Sequence, residues 1–357
     1  MGFFDKLFVK KKPATKEVKV EAPVQLGGNF EYVDLGNGTC MLKGRGENRD
    51  TTVTTVPAEI DGLKVVEIDT TTFDDYDDLC EVTILANITE LVSATFADKA
   101  KLSKVTLPEG LKIIGNEAFR ECYALKGIVI PDSVTEIGDN AFDECEHLGE
   151  EDVVLPNSLE KIGYAAFDGC ISLKGIVIPE GVTEIGNRVF ADCALLGEED
   201  VVLPKSLKKI GFEAFGECKA LTEIVIPDSV TEIGTDAFSG CDLLEEVVLP
   251  QGLEKISAAT FSRCTSLKRI VIPENVTEIE KNAFDGCDSL TEIVLPRGLK
   301  KICDLGGFEN SVNVIYNGTK DEWKNVSKVE EWYGDWSPED GCTISCTDGD
   351  FTGDDDE

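Results

Sequence analysis

The sequence predicts an α/β-type repeat solenoid, mostly strand and coil, with a parallel sheet along its concave face, about eleven coils and a cap at each end. Three observations carry this expectation. Phenylalanine recurs in steps of 23 or 25, at Phe119, Phe142, Phe167, Phe190, Phe215, Phe238, Phe261 and Phe284. Each is followed at the third position by a cysteine, from Cys122 to Cys287, and a proline recurs in step from Pro108 to Pro296. The unit reads L-x-x-I-x-I-P-x-x-V-x-x-I-G-x-x-A-F-x-x-C-x-x, and a period of this size marks coils that bury their apolar side only by stacking.

In chain order, residues 1–25 form a basic tip and linker. Between Met1 and Val20 six Lys face only Asp5 and Glu17, while the whole chain carries a formal charge of -35. Phe3, Phe4, Leu7 and Phe8 share one helical side, a pattern suited to weak membrane contact or to an acidic partner. The plainer reading is a soluble tail. Residues 26–68 read as a β cap, because the Asn37-Gly38 pair lies between alternating residues as in a hairpin.

Residues 69–302 hold the array. The segment L-x-x-I-x-I, such as "LKGIVI" at 125–130, is β-branched and stops at a proline that cannot donate to a ladder. It predicts one short strand per coil, paired in parallel about 4.8 Å from the next, so that the stack extends roughly 50 Å. Val134, Ile137, Ala141, Phe142 and Cys145 then turn inward, with Gly138 available for a tight bend. Phe73 and Phe96 continue the spacing backwards without the cysteine. Residues 131–178 and 179–226 are identical at 29 of 48 positions, the mark of a duplicated two-coil unit. Residues 303–347, with Trp323, Trp332, Tyr333 and Trp336, read as the second cap, and 348–357 as a disordered acidic tail.

The repeated "AFxxC" and "IPxxVxxIG", with the flanks "VPAEIDGLKVVEI", "YNGTKDEW" and "SCTDGDF", resemble the BspA-type leucine-rich repeat family from about Phe30 to Phe351. The resemblance implies a leucine-rich-repeat horseshoe or curved solenoid used for adhesion or protein binding, usually displayed on a cell surface. The chain departs from that pattern in lacking the apolar run and cleavage site of a secretory signal. The expected location is therefore cytoplasmic, with the membrane contact above as an addition, and the cell surface by another route as the alternative.

Acidity excludes nucleic acid as a natural partner, since phosphate is repelled, and leaves a protein or peptide, if charged a basic one. No stretch is long enough to span a bilayer. No cofactor motif or metal-ligand set is present, and the chain reads as no enzyme. Its single histidine, His147, is the second position after Cys145. The equivalent positions hold Ala124, Ser172, Leu195, Ala220, Leu243, Ser266 and Ser289, so His147 belongs to a variable site. The thirteen cysteines read as reduced, the eight in register as small buried core residues. Cys342 and Cys346 lack a zinc-site spacing.

One row points outward from the sheet: Thr106, then Val129, Val154, Val177, Val202, Val225, Val248, Val271 and Val294. A solvated row would ordinarily be polar, so the valines are the candidate partner-binding residues; good strand packing alone is the alternative. Lys126, Lys174, Lys268 and Arg269 flank it against Glu223, Glu245, Glu246 and Glu292. The inserted turns Glu150-Glu151-Asp152 and Glu198-Glu199-Asp200 either contact a cation or basic peptide or are simply solvated. The expected function is a non-enzymatic interaction or adhesion scaffold. The alternatives are a cell-envelope adhesion element acting by avidity and a cation-binding acidic solenoid.

Overall fold

The computed structural model describes residues 24–27, 29–46, 52–303, 305, 312–328 and 344–351. Within these the chain is a nearly helix-free solenoid of about 12 turns. The basic tip with Phe3, Phe4, Leu7 and Phe8, the residues Trp332, Tyr333, Trp336 and Cys342, and the end of the acidic tail lie outside the described residues.

The expected strands form a first parallel ladder. It begins with Val53–Val56, Glu81–Ile84 and Lys104–Thr106, continues as three separate strand pairs, and ends with a group that runs from Arg269–Val271 and Glu292–Leu295 to Asn313–Tyr316 and Ile344–Cys346, so that along one side of the stack the strands form five hydrogen-bonded groups. In register, Val129 lies beside Val154, Val177 beside Val202, Val225 beside Val248 and Val271 beside Val294. The ladder thus overruns the boundaries expected at 68 and 302 at both ends.

The expectation of one strand per coil is corrected: the I-G segment forms a second parallel ladder. Glu136–Ile137 pairs with Lys161–Ile162, Glu184–Ile185 with Lys209–Ile210, and Glu278–Ile279 with Lys301–Ile302. The isoleucines are buried and the residue before each points outward. Two consecutive extended residues are too short for alternation to be read from sequence, which hid this ladder. Gly138 is also corrected. It makes no bend; a Cβ there would stand 2.6 Å from Asn116 N and 2.8 Å from the Gly115 carbonyl carbon, so glycine lets adjacent coils approach.

The third side is built from the A-F-x-x-C turns. From Phe96 to Phe284 the residues two before and two after each phenylalanine take the left-handed conformation, non-glycine on both sides in most coils, as at Glu117 and Glu121 around Phe119, and glycine on the far side of Phe167, Phe238 and Phe284. The non-glycine residues cost roughly 1–3 kcal/mol each. Hydrogen bonds to the next coil offset that cost: the amides of Glu117, Phe119 and Glu121 donate to the carbonyls of Asp139, Ala141 and Asp143 at 2.8 Å. Beneath them the rings of Phe73 to Phe284 stack with centroids 4.6–5.9 Å apart.

Each ladder cysteine is buried beside this column. Cys145 Sγ donates to the Phe119 carbonyl of the preceding coil at 3.1 Å, and the other ladder thiols repeat the contact at 3.1–3.2 Å. The Cys122 amide shares that Phe119 carbonyl at 3.1 Å, so one oxygen ties two coils. The thiol is therefore more than an apolar filler.

The ends are closed as the composition suggests. Phe30–Gly36 and Thr39–Arg45 form the antiparallel hairpin around Asn37-Gly38, and Phe30 sets its ring 6.4 Å from Phe73 and Tyr76. At the far end the short helix Lys320–Lys324 carries a capping box between Thr319 and Glu322. It buries Trp323 against Tyr316, with ring centroids 5.1 Å apart.

Candidate partner-binding face

The first ladder presents its alternate residues outward because side chains of a strand point to opposite faces. Ile128, Ile176, Ile224 and Ile270 go to the core. Between them Val129, Val154, Val177, Val202, Val225, Val248 and Val271 remain 44–68% exposed. The row begins with threonines, Thr55, Thr83 and Thr106, paired in register. Val294 departs from the expectation: it is only 9% exposed. There the sheet passes into the C-terminal segment, whose strand Asn313–Tyr316 pairs along the whole of Glu292–Leu295 and sets Ile315 beside Val294. The exposed apolar row ends at Val271.

The second ladder, equally short and equally parallel, treats its outward row differently. Glu136 pairs with Lys161, and Lys209 lies 3.1 Å from Glu232 and 3.8 Å from Glu184. Lys301 reaches Glu278 at 2.6 Å. Strand geometry therefore does not demand valine at an outward position in this molecule. Sequence reasoning missed this contrast, although the alternation of Glu and Lys before the I-G motif was there to be read.

The flanking charges are mostly used locally. Lys126 meets Glu150 at 3.0 Å, Lys174 meets Glu198 at 3.8 Å, and Lys268 meets Glu245 at 2.6 Å; Arg269 pairs with Glu292. Glu223 and Glu246 are adjacent in register without an intervening cation.

Cys145 and His147 face opposite ways, as the comparison of coils implied. Cys145 faces the core, bonded to Phe119, and burial pushes its thiol well above the ordinary value. His147 lies outside, with Nδ1 2.8 Å from Glu150 Oε1. On the turn side, Arg188 bridges Asp168 at 2.8 Å, Asp192 at 3.1 Å and Glu213, an ion-pair cluster that joins neighbouring coils. Among the described residues no group of three His, Cys, Asp or Glu is placed to hold a metal, and no helix is long and apolar enough to cross a membrane. Cys40, Cys80, Cys303 and the eight ladder cysteines are free thiols.

These features define a capped leucine-rich repeat solenoid with one apolar outward row. The chain belongs to the BspA type leucine rich repeat family, whose model matches residues 66–197 and 198–315 in six copies. A leucine-rich repeat protein from Bacteroides ovatus is similar in structure, with 26% identity and a TM-score of 0.51 over 90% of this chain and 99% of that one. A leucine rich cell surface protein from Faecalibacterium prausnitzii is 28% identical over 85% of this chain and 97% of that one, with a TM-score of 0.48. No curated protein matches the chain. The expected cytoplasmic location finds no support among these relatives.

Proposed function

We propose that the chain is a non-enzymatic scaffold that holds a protein or peptide partner, preferentially a basic one, on the row from Val129 to Val271. The observation that carries this reading is the contrast between the two ladders: one outward row is closed by ion pairs, the other is left apolar over seven consecutive coils. A fully buried valine side chain contributes about 1.5 kcal/mol or more relative to an exposed one, so covering three or four supplies several kcal/mol toward association. Uncompensated carboxylates beside the row favour cations and repel acidic partners.

The test is partner capture from the native organism with Val177→Lys and Val225→Lys combined. The double variant is expected to keep the wild-type circular dichroism and melting transition, since both positions face solvent, and to lose the captured species. A folded double variant that retains it overturns the assignment of the row.

Adhesion by avidity is a second reading, favoured by repetition of the same valine contact along the row. It predicts that binding to a partner-coated surface greatly exceeds binding to the monomeric partner in solution. Fractionation of native cells bears on it too, because recovery in the cytosol alone rules out external adhesion.

A further inference from the structure

Two grooves on the valine row are copies of one another. The first, about 710 Å³, is lined by Thr106, Gly127, Val129, Glu151 and Asp152. The second, about 760 Å³, is lined by Val154, Gly175, Val177, Glu199 and Asp200. Each of these five residues of the first lies 48 positions before its counterpart in the second, the same offset that relates the duplicated two-coil units. Duplication has copied a surface feature along with the coils.

The floor of each groove is a glycine that the inserted acidic turn requires. A Cβ at Gly127 would stand 2.8 Å from the Asp152 carbonyl oxygen, and one at Gly175 would stand 2.8 Å from that of Asp200. At the corresponding place other coils carry long charged side chains, Glu223, Glu246, Arg269 and Glu292. The turn thus excludes a side chain from the strand it overhangs and leaves a notch walled by exposed valine. Both rims carry carboxylates; the first groove is also lined by Lys104, whereas no cation lines the second. Lys126 and Lys174 are engaged by the first acid of each turn, Glu150 and Glu198, while Glu151, Asp152, Glu199 and Asp200 have no ion-pair partner among the described residues.

Resting on the reading of the valine row as the partner face, we propose that these grooves are twin subsites for two cationic side chains of one extended segment of a protein partner. Two coils of about 4.8 Å place the grooves about 10 Å apart, close to one turn of an extended polyproline-II chain, which advances about 3.1 Å per residue and returns to the same face at every third residue. The segment that fits carries arginine or lysine at every third position with apolar residues between, laid along the solenoid across its strands. Its guanidinium or ammonium groups meet the free carboxylates, and the intervening side chains cover Val129, Val154 and Val177.

Fluorescence anisotropy with labelled synthetic peptides and the full chain tests the proposal. A peptide with two arginines separated by two valines is expected to bind roughly tenfold tighter than one with the arginines separated by five valines, or with a single arginine. Glu199→Gln combined with Asp200→Asn is expected to remove that preference and leave the melting temperature unchanged, whereas Glu184→Gln on the second ladder leaves the preference intact. Equal binding of all spacings, an unchanged preference in the neutralised variant, or tighter binding of a glutamate-bearing peptide overturns it. Spacing-indifferent peptides together with native-partner capture that the valine variant abolishes overturn the twin grooves alone. Capture that is insensitive to the valine change overturns the row reading itself.

Discussion

Cys145 and its seven counterparts tie each coil to the one before through a thiol to carbonyl contact that sequence alone could not assign. Burial raises every ladder thiol, Cys287 to about 12, so thiolate is scarce at neutral pH. Native protein treated with a thiol reagent at pH 8 is expected to leave all eight unlabelled until denaturant is added; stoichiometric labelling of the folded chain contradicts their burial. Asp143 gives a second prediction at this scale. Burial, then the Asp168 and Glu144 charges, raise its carboxyl from 3.8 to about 6. The folded state therefore binds the proton more tightly than the unfolded state, and this group's contribution is fully present below about pH 4 and lost as pH rises through about 6. Asp143→Asn is expected to raise the melting temperature at pH 7 relative to wild type. The gain should shrink as pH falls from 6 to 4, measured by thermal melts across that window. His147 needed no structure, because comparing the coils already marked its position as variable. The inward direction of Cys145 was equally legible, and only its contact with the Phe119 carbonyl needed the structure.

At the scale of elements, the first ladder was legible because L-x-x-I-x-I alternates long enough to be read, and its proline marks the end. The second was not, because a pair of extended residues carries no period and only pairing from one coil to the next reveals them as strands. The same logic separates glycines that look alike. Gly138 and Gly186 follow equivalent isoleucines, yet a Cβ at Gly138 meets Asn116 N at 2.6 Å while one at Gly186 meets nothing nearer than Val189 Cγ2 at 3.6 Å. Gly138→Ala is expected to cost about 2 kcal/mol or more by forcing two coils apart, and Gly186→Ala less than about 0.5 kcal/mol. Equilibrium denaturation in urea compares the two; equal costs would show that coil spacing relaxes freely.

For the whole molecule, stacking makes stability additive over nearest neighbours, so removing an intact unit leaves compatible surfaces on either side. Deleting 131–178 joins Ile130 to Pro179, the same junction that Ile178 makes with Pro179 in the natural chain. The shortened protein is expected to fold and unfold cooperatively, with a denaturant m-value lower by roughly an eighth, in proportion to the surface lost. Its single remaining groove, with Gly127 now under Glu199 and Asp200, should bind the two-arginine peptide no better than the one-arginine peptide. Failure to fold would show that the two-coil unit is not the interchangeable module its duplication implies.

The sequence by itself determined the coil. Spacing of phenylalanine, cysteine and proline names the repeat and its family, and the apolar positions name the core, because each coil faces the same inward environment. It also placed the valines in line. Tertiary structure alone decided that the other outward row is neutralised by ion pairs, that Val294 falls out of the exposed set, and that Gly127 and Gly175 floor two equivalent notches. Those properties belong to neighbouring coils, whose register sets Glu136 beside Lys161 and lays Asp152 over Gly127, and no single repeat contains them.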